Sequence, residues 1–560
     1  MVDDYRTLSQ EFDTLMAANT LRAVSKEDFR NPDQLPNISA EAMEDFASRC
    51  SDLAMRIANA NAGETFDERI DLEVAAGELR AQVIDTIGDI DGSPRYAVNP
   101  LSNLSFFADG LLFFLERDPR SERERVDGLV RKLEQLPIFL EQGASRLDHP
   151  VETWRDMECE VAKGYGNMAQ AIHSFAENAG YQDMSSLNAA LLRAATAVYG
   201  YSQQLREMPT RRALSLGEDV TRILFQDRGI EISLEEMHRL ATRDIEEKTG
   251  RIEDLRRRVV EKYYFPSGSS AVEVTQLLKA ATECKEGTAV QVAEEILTQA
   301  IRFAYDQGIV HPLEGPNEAR IAFTPRYLRP MVPSAAMYPP GSFAQGSRKS
   351  AYFITEREGN IMSRPALAGT VAHELIPGHH YQGVRATEHP SRIRGWLFPL
   401  DLVEGWTTRV AEQVMSERGF IGTPGMELEE QFFAEAGQLR LGARVYFVLG
   451  CLTGERKYLQ NPFVNVDTEQ DIVRASEKLY SSLTGFPESR ANADVHLFSS
   501  MQQYGALYLT GNVLFHRMEA QAREKQGNSF RLADFHEAML REGTLPLSAM
   551  QRSLEYKGIM

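Results

Sequence analysis

One stretch of forty residues, HPLEGPNEARIAFTPRYLRPMVPSAAMYPPGSFAQGSRKS (311–350), cannot be continuous helix, and nearly everything on either side of it reads as helix. Its prolines lack the N–H that a helix interior needs, and its glycines favour turns. Upstream, AEEILTQAIRFAYDQG (293–308) spaces its apolar residues three and four apart and ends on a glycine suited to a C-cap. ALLRAATAVYGYSQQLREM (190–208) repeats the pattern, and the charge-laced run 235–265 predicts a long solvated helix or a helical hairpin. Inside the exceptional stretch, ARIAFTP (319–325) is a short strand candidate. Next, SAYFITE (350–356), with its β-branched and aromatic residues, is the strongest strand in the chain. A helix should follow, with Ser363 at the cap and Pro365 in the first turn. The expected fold is mainly α, with a small β-sheet beside one particular helix. Residues 1–309 would form a helical N-terminal region and 310–560 the region bearing the chemistry, joined as one continuous fold.

That helix carries HELIPGHHYQ (373–382). In the zinc-protease pattern H-E-x-x-H, two histidines one turn apart grip one ion and the glutamate serves as base. Here Pro377 stands where the second histidine belongs, and the next histidines are His379 and His380. On a regular helix, at 100° and 1.5 Å per residue, His379 would lie about 120° off the His373 face, and His380 roughly 10.5 Å up the axis. Pro377, however, cannot bond to the His373 carbonyl, and Gly378 permits unusual backbone angles. Removing those two residues leaves H-E-L-I-H. A kink or widened turn that loops them out would bring His379 to the ligand position beside His373. His380 would then be a neighbour of the ligands or face the substrate. Glu374 would take a proton from an activated water. A third protein ligand is needed, and Glu404 in DLVEGWTTRVAEQV is the best candidate. It opens an amphipathic stretch (Trp406, Val410, Val414) that could aim it back.

The bulk properties narrow the partners. The 560 residues include 61 basic and 81 acidic side chains, a formal net charge of −20, which argues against nucleic acid or an anionic membrane. No apolar run approaches the ~20 residues of a spanning helix. The acidic first twenty residues lack the basic and apolar regions of a signal peptide. Four scattered cysteines (Cys50, Cys159, Cys284, Cys451) suit buried, reduced thiols, and the expected location is cytoplasmic.

The motifs YPPGSF (338–343), AHELIPGHHYQ (372–382), VEGW (403–406), YGALYLTG (504–511) and FRLADFHEAMLREGTLPL (530–547) resemble, in order over about 220 residues, the bacterial family grouped as domain of unknown function 885. Its members look like zinc metallopeptidases of the gluzincin type. The resemblance implies a large helical metallopeptidase-like fold around a central cleft. It implies one zinc ion, with another divalent metal as the alternative, on His373, His379 and Glu404, and Glu374 as general base. Tyr508 falls at the family's Y-x-x-G and could steady an oxyanion. The strand SAYFITE, with Tyr352, would border the cleft and offer its edge to an extended substrate. Arg444 stands at the family's arginine position, and His496 could add a polar contact. The sequence departs from the pattern at Val448 and Leu452, where many members carry Asp and His, and at Leu509, where many carry Lys. The expected activity is hydrolysis of an amide bond in a small peptide or peptide-like substrate. The apolar replacements leave open a repurposed, non-peptidase metal enzyme of a specialised biosynthetic pathway, and a non-catalytic scaffold is the third alternative.

Overall fold

The structure, a computed structural model, describes residues 4–60, 63–329, 332, 335–346, 348–356 and 361–560. The first half is helical from Tyr5 to Asp306, interrupted by a two-residue ladder between Asp89–Ile90 and Ser93–Pro94. The expected C-cap glycine is Gly308, at φ 58°, one residue beyond the end of the Ala289–Asp306 helix and its Gln307 cap. The charge-laced segment is one straight element, α1 (Leu234–Tyr263), opened by the Ser233 side chain on the Glu236 N–H. It buries a stripe of Met237, Ala241, Ile245, Ile252 and Val259, so only its other face is solvated. The short α2 (Ala271–Ala281) follows it.

The exceptional stretch forms β1 (Asn317–Phe323), β2 (Ala335–Tyr338) and β3 (Arg348–Ile354), in the spatial order β1-β3-β2. β3 runs parallel to β1, with Asn317 opposite Arg348 and Phe323 opposite Ile354. It runs antiparallel to β2, with Ala335 opposite Ile354 and Tyr338 opposite Ala351. The strand SAYFITE is therefore central and has no edge to offer a substrate. Its length and apolar character, which made it easy to recognise, reflect burial on both faces from Ser350 to Ile354. The edge facing the cavity described below belongs to β2.

After β3 the chain enters α3 (Arg364–Glu374), with Ser363 at the N-cap. The Ser363 hydroxyl bonds to Thr282 rather than to the helix. The expected kink is a full break. α3 ends at Glu374, the chain turns through Leu375–Gly378 with a cis Ile376–Pro377 bond, and a new helix, α4 (His379–Ala386), begins at His379. The turn is pressed tightly on the helix it leaves: a Cβ on Gly378 would lie 1.7 Å from the His373 carbonyl oxygen. Trp406 donates its indole N–H to the Pro377 carbonyl at 2.7 Å.

Trp406 closes α5 (Leu400–Trp406), which continues as a π-helix over Thr407–Val414 rather than as the regular amphipathic helix expected. The last elements around the site are α6 (Glu427–Thr453), α7 (Ile472–Thr484), α8 (Glu488–Ser500) and α9 (Tyr504–Gln526). α5 and α9 touch backbone to backbone. A Cβ on Gly511 would meet the Asp401 carbonyl oxygen at 2.2 Å, and one on Gly405 would meet the Gly511 carbonyl carbon at 2.7 Å. Glycines in the EGW and YLTG motifs thus set how near Glu404 comes to the tyrosines of α9.

Both halves contribute to the same cores. Leu8, Phe12 and Leu53 pack with Ile393 and Trp396, while Trp154 and Phe225 pack with Val448, Leu452 and Tyr480. The buried Arg394 guanidinium reaches back to Asp71 at 2.6 Å. No helix among the described residues is long and apolar enough to cross a membrane.

Gly405→Ala and Gly511→Ala should each cost about 1–3 kcal/mol of stability in urea unfolding, because the facing atoms are backbone and cannot step aside. Gly200→Ala, in a helix with nothing within 4 Å of the added methyl, should be neutral or slightly stabilising. Equal behaviour of all three would remove the tight crossing.

Candidate metal centre

The break at Pro377 places His373 at the end of α3 and His379 at the start of α4 with their rings 4.9 Å apart and nearly perpendicular. Both imidazole Nε2 atoms lie 3.6 Å from the same oxygen, Oε2 of Glu404. That is beyond the 2.7–3.2 Å of an ordinary N–H···O bond. It is close to the ~3.4 Å that separates two tetrahedral ligands with zinc bonds of about 2.0–2.1 Å. Three buried donors converging without touching are a set that could hold one divalent ion. Glu374 competes for the third place, since His373, Glu374 and His379 each bring a ligand-capable atom within 4.8 Å of the other two. The electrostatics separate the two carboxylates. Burial works to raise the Glu404 carboxyl, but the His379 and His373 imidazoles overcome it and hold it at about 2. Burial raises Glu374 above its ordinary value with less opposition, which suits a group that gains and loses a proton. For His379 burial works downward, yet Glu404 prevails and lifts it to about 9, so metal uptake there must displace a proton.

His373 and Glu404 are held from behind. His373 Nδ1 lies 2.6 Å from Glu412 Oε1, the carboxylate–histidine pairing that fixes ring orientation at metal sites. Glu412 is in turn bound by Arg440 at 2.6 Å and by the Gln438 amide. Glu404 Oε1 accepts the Tyr504 hydroxyl at 2.6 Å. On a regular helix Glu412 would point about 80° away from Glu404, eight residues being two turns and a remainder. The wider π winding between them brings both onto His373. Glu412 was invisible to a helical-wheel reading for that reason. Tyr504 was visible in principle, one turn before Tyr508 on the same face.

Tyr508 stacks on Tyr504, with centroids 5.6 Å apart. Tyr352 is fully buried on β3, and its hydroxyl has no hydrogen-bond partner among the described residues. It lines the same cavity as Glu374, whose charge adds to burial in raising the Tyr352 phenol. His380 does not face the ligands or the cavity. Its Nδ1 lies 2.7 Å from Ser350 Oγ and its Nε2 3.3 Å from Asn317, because the first turn of α4 presents successive residues to opposite sides. It anchors α4 to the sheet, and burial lowers it to about 4, leaving it neutral. Arg444 and His496 both line the cavity, His496 with its Nε2 2.7 Å from Glu477. Val448 and Leu452 lie one and two turns beyond Arg444 on α6, buried in the core and outside the cavity lining, so their apolar character does not alter the cavity wall; Leu509 is the one of the three that faces it.

The cavity measures about 1790 Å³ and is lined from both halves, by Lys26, Phe106 and Lys248 as well as by β2, α3, α6 and α9. Ordinary small-molecule pockets hold about 300–1,000 Å³.

Comparison with solved structures gives close similarity of fold at low identity. A "putative lipoprotein" from Colwellia psychrerythraea superposes with a TM-score of 0.77 at 15% identity, covering 100% of this chain and 99% of its own. One of unknown function from Shewanella oneidensis gives 0.71 at 17%, covering 99% and 100%. No functionally curated protein matches the chain. The model of the family described as bacterial proteins of unknown function (DUF885) matches residues 20–554, well beyond the C-terminal motifs. The chain belongs to the DUF885 family.

Proposed function

We propose that the protein is a metal-dependent hydrolase of a peptide or peptide-like amide, with His373, His379 and Glu404 holding one zinc ion. The observation that carries this reading is the convergence of two imidazole Nε2 atoms on one Glu404 oxygen at 3.6 Å. Zinc at such a site polarises a carbonyl and makes water a nucleophile near neutral pH. Around it, the chain's own groups have definite tasks. Glu374, half-buried beside the imidazoles, accepts the proton of the attacking water and returns it to the leaving amine. Tyr508 and the unpartnered Tyr352 hydroxyl are the donors available to the oxyanion of the tetrahedral intermediate. Glu412 keeps the His373 ring turned toward Glu404. The size of the cavity favours an extended substrate, for which the free edge of β2 offers backbone pairing. Four free cysteines suit the cytoplasmic location expected from the sequence; the two solved relatives described as lipoproteins would suit an envelope location, and the chemistry proposed is the same in either.

Glu404→Ala should lose stoichiometric zinc, read by metal analysis after dialysis, whereas Glu374→Gln should retain it and abolish turnover of a peptide library. Unchanged metal in Glu404→Ala removes that residue from the site. Glu412→Gln should weaken zinc binding by roughly 10–100-fold in a chelator competition. Full affinity in that variant would make the contact to His373 incidental.

A further inference from the structure

Where α2, α6 and α8 line the cavity, three cationic side chains face it in a protein whose net charge is −20. Arg444, on α6, is 8% exposed, and its guanidinium lies against the rings of Phe498 at 4.4 Å and Tyr508 at 4.7 Å. Among the described residues its Nε has no hydrogen-bond partner. A buried guanidinium with an idle donor is costly unless something else completes it. Asp494 is the acid beside it, at 3.7 Å, and that carboxylate also accepts the Tyr480 hydroxyl at 2.9 Å. Arg490, on α8, lies over Phe486 at 3.6 Å and lines the same cavity. Arg490 stands one turn before Asp494 on α8, and the Phe486 ring beneath it meets the Tyr480 ring at 5.7 Å, so the two guanidiniums border one neighbourhood around Tyr480 and Asp494. Lys279, on α2, completes the group. It lines the cavity, and burial followed by the charge of Arg490 lowers it to about 8. Among the described residues neither Arg490 nor Lys279 has an acidic partner within ion-pair distance. Three cations and one acid leave the recess with a charge to be met from outside.

We propose that this recess, formed by Arg444, Arg490 and Lys279, binds a carboxylate of the substrate, so that the molecule cleaved is an anionic peptide or peptide-like acid. The idea rests on the hydrolase reading for its substrate class but not for the binding itself. Tyr508 links the two places: it lies against Arg444 on one side and stacks on Tyr504, which holds Glu404, on the other. A carboxylate seated at Arg444 therefore leaves the rest of an extended substrate to run along the tyrosines toward the histidines. The guanidinium pair suits a planar carboxylate, which accepts two N–H groups side by side.

The carboxylate could be a free C-terminus or an acidic side chain, and calorimetry on the Glu374→Gln protein distinguishes them without turnover. The probes are N-acetyl-trialanine as the free acid, the same peptide as its C-terminal amide, and N-acetyl-Ala-Glu-Ala amide. At least one acid should bind roughly tenfold to a hundredfold tighter than the neutral amide, the range of a charge-assisted hydrogen bond. The tighter of the two acids names the source. Arg490→Gln and Lys279→Met, both at partly exposed positions, should each erase much of that preference while leaving the neutral peptide's affinity and the thermal melting point unchanged. Arg444→Gln should erase it most. No preference for either acid in the parent protein overturns the proposal, as does a preference that survives the Arg490→Gln/Lys279→Met double variant. Loss of the hydrolase reading reads differently: no peptide is cleaved by wild type, yet the preference for acid remains.

Discussion

The indole N–H of Trp406, donated to the Pro377 carbonyl at 2.7 Å, joins the two pieces of chain on which the whole site depends. One piece is the turn that separates His373 from His379; the other is the helix that delivers Glu404, two residues before the tryptophan. A carbonyl freed by a broken helix and buried must find a donor, and the indole is one with no alternative role. Because Trp406 is rigid and fully buried between Tyr381, Phe515 and His536, it transmits position as well as satisfying a bond. The three donors are thus brought together by packing and hydrogen bonds belonging to the protein alone.

Charge is distributed with the same economy. The carboxylates of the candidate site sit beside imidazoles, and the one behind His373 is itself neutralised by Arg440. Such chains of partners are stable when complete and expensive when one member is missing. Glu374 stands apart from this arrangement. It is half-buried and raised, which suits the proton transfer proposed for it.

Much of this was legible in the residues. Helical periodicity, a Pro- and Gly-rich interruption and one β-branched run suffice for a mainly helical fold with a small sheet. The insertion of Pro377 and Gly378 into an H-E-x-x-H spacing pointed to His373 and His379 as neighbours, and the structure brings them together with Glu404. What could not be read were features that break the regular period or depend on distant chain. Glu412 reaches His373 through a π segment, whose wider winding no α-helical wheel anticipates. His380 turns to Ser350 and Asn317, partners 30 and 63 residues away. β3 lies between its neighbours because β1 and β2 flank it, an order that strand composition does not encode. Val448 and Leu452 looked like altered pocket residues by position in a motif, yet α6 has run beyond the cavity into the core by the time it reaches them.

The shared cores have a consequence for how such a chain can change over generations. Trp154 and Phe225 close over the same interior as Tyr480 and Leu509, and Lys26 helps line the cavity that holds the histidines. The site-bearing half is consequently not a module that recombination could lift out and attach elsewhere with its chemistry intact. A family built this way must be inherited whole and diversified by substitution along the cavity wall, which accords with a family match running from residue 20 to residue 554.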